Sequence, residues 1–495
     1  MGAVYPLNHG DNIRLRINIY PQFINIYLQS IKFHPQTDRA LGPHDRGLSH
    51  EAESPYEPFS FHKESYKVAR MKILLIGSGG REHALGRKIC ADDPRVELHS
   101  APGNPGLAEL GPCHATVRAG DVAGLVALAD HLQPDLVLVG PEEPLTLGLA
   151  DRLRDRAIPV FGPSQIGAQL EASKSFAKQV MVASGVPTGR YERFDDLGAA
   201  MAALPNWPAQ LVVKADGLAA GKGVVVCDNH GQAQDALYDL AALGQPLLLE
   251  ERLEGPEISL FALVHGDLVV PLTTAQDHKR VGEGATGPKT GGMGAYSPGI
   301  LPDTLDQDAL IAATVRPIAQ EMSKRGTPFS GVLFVGLMLT TSGPKVLEYN
   351  VRFGDPECQV LMARLKSPLI PLIQSVLKAA PSPEGDAPEN ANPFQIEWHD
   401  QAAMTVVLAA AGYPGPYEKG AKIDLPTSIP EQSHVIHAGT KRVNDILQTN
   451  GGRVINAVGL GQDLEAARDQ AYALAKTIHW DGRFFRNDIG WRAIK

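Results

Sequence analysis

At Met71 the chain enters a pattern that only a narrow class of folds can satisfy. Lys72-Ile-Leu-Leu-Ile76 is a short apolar run, followed by Gly77-Ser-Gly-Gly-Arg-Glu-His-Ala84 and a helical pattern through Leu85 and Ile89. Strand, glycine-rich turn and helix in that order open a parallel α/β unit. Val96–Ser100 reads as a second strand, Val122–Leu132 as a helix, and Leu136–Val139 as a third strand running into Gly140-Pro-Glu-Glu-Pro144. This alternation predicts a doubly wound sheet covered on both faces and ending near Glu171.

Beyond Ser173 the pattern is mixed. Lys174–Ser184 reads as a helix, Leu211–Lys214 and Val224–Cys227 as strands flanking a Gly/Ala loop, and Gln232–Ala242 as a helix. Leu247–Glu251 and Ile258–Val264 read as strands, Asp306–Arg325 as one helix, and Val332–Leu339 and Lys345–Arg352 as paired strands. Thr273–Pro298 is Gly-rich and reads as too polar for a core, so it is expected to be a loop that moulds to a ligand. Pro381–Asn392 is the best linker by composition. Strands near Met404–Ala410, His434–Ala438 and Arg453–Gly459 and a helix at Leu464–Ile478 complete the chain.

Composition narrows the function. The 495 residues allow three or four domains, and 43% hydrophobic with 20% charged residues excludes a mainly disordered chain. A net charge of −9 argues against a nucleic-acid partner. No apolar run reaches the ~18 residues of a membrane span. Cys90, Cys113, Cys227 and Cys358 lie far apart, without zinc-ligand or disulfide-framework spacing, which fits reduced thiols.

Four motifs carry chemistry. The first is Gly77-Ser-Gly79-Gly80-Arg81-Glu82. It fails the dinucleotide fingerprint, because Glu82 stands at the third glycine and no acidic residue ends the next strand. What remains is a turn whose amides, helix dipole and Arg81 favour a monophosphate, or else an ordinary strand–helix turn. The second, Lys214-Ala-Asp-Gly-Leu-Ala-Ala-Gly221-Lys-Gly223, fails the Walker pattern and precedes a strand. It reads as a hairpin whose small residues close over phosphates, with Lys214 adding charge.

The third motif is Glu348-Tyr-Asn350-Val-Arg352. In one strand these three polar residues, about 7 Å apart in sequence steps of two, would share a face. Carboxylate and amide oxygens suit Mg²⁺, and the guanidinium suits an oxyanion. A solvated Glu–Arg pair is the plain alternative. The fourth is Gln276-Asp277-His-Lys279-Arg280, followed by Thr286-Gly-Pro-Lys-Thr-Gly-Gly-Met-Gly-Ala-Tyr-Ser-Pro298.

Taken in order, these motifs, with Asn350-Val-Arg-Phe-Gly-Asp-Pro-Glu and Asp488-Ile-Gly-Trp-Arg-Ala493, closely resemble the phosphoribosylamine–glycine ligase (glycinamide ribonucleotide synthetase) family of the ATP-grasp superfamily. The resemblance spans residues 71–495. It implies an α/β and α+β multidomain chain: an N-terminal doubly wound α/β domain at 71–172, central ATP-grasp domains at 173–392 with a lid at about 190–257, and a C-terminal α/β domain at 393–495. The implied reaction joins glycine to 5-phosphoribosylamine at the expense of ATP through glycyl phosphate. Mg²⁺ (or Mn²⁺) is the implied metal, held by Glu348 and Asn350.

Further roles follow from the same resemblance. Lys174, Lys214, Gly221, Gly223, the hinge residues Glu250, Glu251 and Leu253, and Glu257 at the ribose would bind ATP. Gly79, Gly80, Arg81 and Asp277 would bind substrate. Lys279 and Arg352 would be catalytic, facing the oxyanions. A cytoplasmic monomer with no nucleic-acid or membrane partner is expected. The alternatives weighed are another ATP-grasp carboxylate–amine ligase, a nucleotide-sensing module without turnover, and a dinucleotide oxidoreductase.

Departures from the pattern are few. The connection between Ala242 and Leu247 is short, so the lid is expected to be trimmed. Lys289 stands where the pattern leads one to expect a small polar residue such as Asn. Residues 1–70 match nothing in it. They are expected to form a poorly structured extension, with Met71 as the start of the working enzyme. Their acidic residues argue against a transit peptide, and Pro21 interrupts any anchoring helix.

Overall fold

The structure, a computed structural model, describes residues 70–218, 223–379 and 394–494. Gly221, the rest of the 219–222 loop, the N-terminal extension and the 381–392 linker lie outside the described residues.

The first body is a four-stranded parallel sheet. Lys72–Gly77 lies between Glu97–Pro102 and Leu136–Val139, with Val160–Phe161 at the far edge. Residues 73–76 are at most 1% exposed, as a central parallel strand must be. Alternate side chains enter different cores. Leu74 and Ile76 pack with Val122, Leu125 and Ala129. Ile73 and Leu75 pack with Ala84, Leu85 and Ile89. That split is the doubly wound arrangement in physical form.

The second body contains two antiparallel four-stranded sheets. One runs Tyr191–Phe194, Leu247–Glu251, Leu211–Ala215, Val224–Cys227, and is backed by Leu197–Ala203 and His230–Ala241. The other runs Leu268–Pro271, Glu257–His265, Ser330–Thr340, Gly343–Asn350. Behind it lie Gln307–Thr314 and Arg316–Lys324. The single helix expected over Asp306–Arg325 is thus two. Pro317 has no N–H for the helical ladder and its ring crowds the preceding turn, so the helix breaks at Val315. Residues 242–246 alone link the lid helix to its next strand.

The third body corrects the reading of 273–298 as a polar loop. Gly294–Ser297 is a fully buried strand, paired on one side with Gln276–Asp277 and on the other with Ala402–Ala410. Ala295, Tyr296 and Ser297 are each 1% exposed or less. Small residues look polar by composition, but here they let the strand lie inside the layer. Arg453–Gly461 and Ser433–His437 extend the same sheet, which therefore crosses the 392/393 boundary expected from the linker.

Helix Leu464–Thr477 packs on this sheet at very short range. A Cβ at Gly459 would lie 2.3 Å from the Ala471 backbone nitrogen and 2.5 Å from the Ala467 carbonyl oxygen. Because helix backbone cannot yield locally, Gly459→Ala should cost about 1–3 kcal/mol or more by overpacking. Thermal unfolding would show this as a lowered midpoint, and an unchanged midpoint would contradict the close helix–sheet approach.

Candidate active site

A cleft lined with lysines forms where the two antiparallel sheets of the second body meet the Gln276–Lys289 segment. On one side, Ser173 caps helix Lys174–Ala183, and Asp216 holds Ser173 Oγ and Ser175 N at 3.1 and 3.0 Å. This ties the helix start to the chain leaving strand Leu211–Ala215. Lys174 Nζ consequently reaches Gly217 O at 2.8 Å. Lys178, one turn on, lies on the same helix face. Its Nζ is 2.5 Å from Glu250 Oε1, and Lys214 Nζ is 2.5 Å from Glu250 Oε2. Burial pulls the Lys178 ammonium down to about 8, with Glu250 opposing.

Glu250 and Glu251 do not act together. Strand alternation sends Glu251 the other way, where it accepts from Arg190 N at 3.0 Å and meets Lys345 Nζ at 3.0 Å. Glu251 and Leu253 instead line a separate concavity of about 630 Å³ with Trp207, Arg252 and Lys345. Gly223 is buried at the base of the hairpin, its carbonyl accepting from Ala215 N at 2.9 Å.

Across the cleft, Lys279 Nζ lies 2.9 Å from Glu257 and 3.8 Å from Glu348. Glu348 and Asn350 are two apart on strand Gly343–Asn350, opposite Gly336 and Phe334. Tyr349 between them points into the core, its hydroxyl 2.5 Å from Thr314 O. The Glu348 side chain is 48% exposed. Burial would raise its pKa, but Lys279, Lys214, Lys289 and Lys174 together hold it down to about 2. Asp277, by contrast, is pushed up to about 8 by burial and by Glu357, Glu257 and Glu348, with Lys279 opposing.

An ionised carboxylate and an amide on one strand face form an oxygen donor set that fits a hard divalent cation. Such cations commonly take one or two protein groups and complete their shell with phosphate and water. The nearest cation to Glu348 here is the ammonium of Lys279.

Arg352 does not share the face of Glu348 and Asn350. The strand ends at Asn350, and the following turn carries the guanidinium to Glu142 at 3.1 Å and Glu171 at 2.6 Å. It joins Arg81, which is also engaged internally: Nε meets Glu82 at 2.5 Å and Nη1 donates to Phe353 O at 3.1 Å. Glu82 also accepts from Gly79 N at 2.5 Å, so one amide of the expected anion turn is already taken. A Cβ at Gly140 would sit 2.1 Å from Glu82 Oε1, which shows how closely this carboxylate is enclosed. Gly80 abuts Gln359 and Asn456. Burial acts against Glu142, but Arg352 and Arg81 bring it down to about 2; burial pushes Glu171 up to about 7 despite Arg352.

The predicted residues therefore fall into three groups, one of them Glu251 and Leu253 at the concavity beside Lys345. Lys174, Lys214, Glu250, Glu257, Lys279, Glu348 and Asn350 frame the cleft, with Asp277 in its wall. Gly79, Gly80, Arg81 and Arg352 meet at the junction of the three bodies. Sequence reasoning missed Lys178, Glu142 and Glu171. The i, i+4 step from Lys174 signals the first, and the Gly140–Pro144 turn contains the second. Nothing local marks Glu171, whose partner is 181 residues away.

Comparison with known proteins accounts for this arrangement. Residues 71–171, 172–358 and 403–492 match the N domain, the ATP-grasp (A) domain and the C domain of phosphoribosylglycinamide synthetase. The phosphoribosylamine–glycine ligase of Agrobacterium fabrum is 46% identical over 433 residues, covering 86% of this chain and 99% of that protein. That of Vibrio parahaemolyticus is 44% identical over 435 residues, with the same coverage. The crystal structure of the Thermotoga maritima phosphoribosylamine–glycine ligase aligns at TM-score 0.71 and 32% identity, covering 84% of this chain and 100% of that one. A Campylobacter jejuni biotin carboxylase at TM-score 0.62 and 15% identity shares the fold alone.

Fold and site thus define an ATP-grasp enzyme, in which paired sheets enclose a lysine-rich cleft. Within that class, the chain belongs to the phosphoribosylglycinamide synthetase family, ATP-dependent ligases of purine synthesis. Among the described residues no helix is long and apolar enough to cross a membrane.

Proposed function

We propose that the cleft ligates glycine to 5-phosphoribosylamine through glycyl phosphate, giving glycinamide ribonucleotide, ADP and phosphate. The observation that carries this reading is Lys279 Nζ set between Glu257 at 2.9 Å and Glu348 at 3.8 Å, with the charges of Lys214, Lys289 and Lys174 acting on the same Glu348 carboxylate. Glycine's carboxylate is a poor acyl donor. Its attack on the γ-phosphate needs alignment and charge neutralisation more than a strong base.

Lys174 and Lys214 hold the phosphate chain of ATP, and Glu257 takes the ribose hydroxyls. Gly223, at the base of the hairpin, and Gly221 of the same motif bind the phosphates, and water is kept from the acyl phosphate. Glu250 fixes Lys214 and Lys178, and the 250–253 hinge carries the base. Lys279 faces the oxyanions of the transfer. Asp277, whose carboxyl is pushed up by burial, hydrogen-bonds the polar groups of the acceptor. Magnesium, or manganese, held by Glu348 and Asn350 supplies the neutralising charge at the transferring phosphoryl group when bound.

The amides of Gly80 and Arg81, at the N-terminus of helix Gly80–Asp92, receive the acceptor's 5-phosphate. Arg352 acts beside them, with Glu142 and Glu171 fixing its guanidinium. We further propose a monomer working in the cytoplasm on these small substrates, with no nucleic-acid or membrane partner. The test is phosphate release from ATP. It should require both glycine and phosphoribosylamine. Release supported by another acid or amine would favour a different ligase of this class, and no release would favour a binding module.

A further inference from the structure

One buried ammonium touches no reactant in the reaction proposed above. Lys178 Nζ donates to Glu250 Oε1 at 2.5 Å and to Thr188 Oγ1 at 2.7 Å, and it lies 5.8 Å from the centre of the Tyr191 ring. Glu250 and Tyr191 are register partners on adjacent strands. Thr188 Oγ1 in turn donates to Val346 O at 2.7 Å, two residues before Glu348 in strand Gly343–Asn350. Lys178 therefore takes its place from its own helix and from Thr188, not from Lys214. The other half of Glu250 is held differently. Lys214 Nζ stands 2.5 Å from Oε2, yet among the described residues Oε2 accepts no hydrogen bond, so this ammonium is close but off the bonding direction. One buried carboxylate thus faces two ammoniums, one hydrogen-bonded and one paired by charge alone.

We propose that Lys178 is a positioning residue for nucleotide binding: it is the standing partner of Glu250 and so leaves Lys214 free to turn to the phosphate chain. With Lys178 in place, two ammoniums share one carboxylate, and the surplus positive charge meets an incoming polyanion through Lys214. Without it, Glu250 and Lys214 form a closed one-to-one pair. Phosphate must then compete with a buried carboxylate for the same ammonium, in surroundings where water screens neither. The inference rests on the reading of Lys214 as a phosphate ligand, and the experiment separates the two.

Rescue by a second substitution makes the test, with ATP affinity read by calorimetry and KM and kcat by steady-state rates. Lys178→Met should weaken ATP binding and raise the KM for ATP on the order of tenfold, while kcat at saturating ATP and the KM for glycine stay within about twofold. Adding Glu250→Gln to Lys178→Met should recover most of the lost affinity, because Lys214 then has no carboxylate to close on. Lys178→Gln, with the same second substitution, serves if the methionine variant folds poorly. A lysine that only supported the fold, or that touched phosphate itself, would show no recovery with Glu250→Gln; that result, or unchanged ATP affinity in Lys178→Met, overturns the proposal. Lys214→Met in the otherwise unaltered chain tests the reading beneath it and should weaken ATP on the order of tenfold or more. If it does so while the rescue fails, the role of Lys178 falls and that of Lys214 stands. If Lys214→Met binds ATP as the parent does, Lys214 holds no phosphate and both fall.

Discussion

Glu348→Ala should leave the chain folded and reduce ligation by about 10³-fold or more. The side chain is 48% exposed and makes no hydrogen bond within the described protein, so little packing is lost. What disappears is the carboxylate whose pKa four lysines hold well below the ordinary carboxylate range. Without it the metal at the transferring phosphoryl group loses its charged ligand, a loss of several kcal/mol in the transition state. Asn350→Ala should follow the same course more mildly, since an amide brings no charge. Steady-state rates over a magnesium titration would check both. Near-normal turnover of Glu348→Ala at ordinary magnesium would remove the metal assignment.

Glu250→Ala should be the most damaging to stability. Glu250 and Lys178 are each 2% exposed in their side chains, and Glu250 neutralises both Lys178 and Lys214 at 2.5 Å. Removing one partner of a buried pair leaves an uncompensated charge, typically at a cost of about 3–5 kcal/mol. In a domain of this size that lowers the thermal midpoint by roughly 5–15 °C.

The pH dependence has a definite sign. Burial already draws Lys178 from 10.5 down to about 8, and loss of Glu250 draws it lower. The unfolded state then binds more protons than the folded state from the lowered pKa up to about 10.5, so stability rises with pH across that window. The unaltered chain shares that slope above about 8, so the deficit against it should shrink as pH rises to about 8 and level off above it. A deficit that grew with pH, or a midpoint within a degree of the parent at pH 7, would show that Lys178 is not held as an ammonium by Glu250.

Local pattern carried a good deal of this site. The continuous apolar run of Lys72–Gly77, bounded by a glycine turn, fits a strand buried on both faces, as a parallel sheet between two helix layers requires. Glu348 and Asn350 share a strand face by the period of two, and their carboxylate and amide oxygens announce a hard cation. Period two likewise sends the side chains of Glu250 and Glu251 to opposite faces of their strand. The same arithmetic misplaced Arg352, because nothing in Val351-Arg352-Phe353 marks the point at which hydrogen bonding to strand Ser330–Thr340 stops.

What the amino-acid order determined by itself was therefore short-range: where strands and helices run, which motifs follow one another, and the family to which their order belongs. Tertiary structure alone decided the charge arrangement. Lys174, Lys214, Lys279 and Lys289 come from different elements and surround Glu348 only after the two antiparallel sheets have closed on each other. Glu171 finds Arg352 across 181 residues, and Gly294–Ser297 becomes a core strand only because Ala402–Ala410 is there to pair with it. Secondary structure follows from steric and hydrogen-bond rules that act over a few residues. A pKa and a buried ion pair depend on distance in space and on excluded water, which the sequence fixes only through the complete fold.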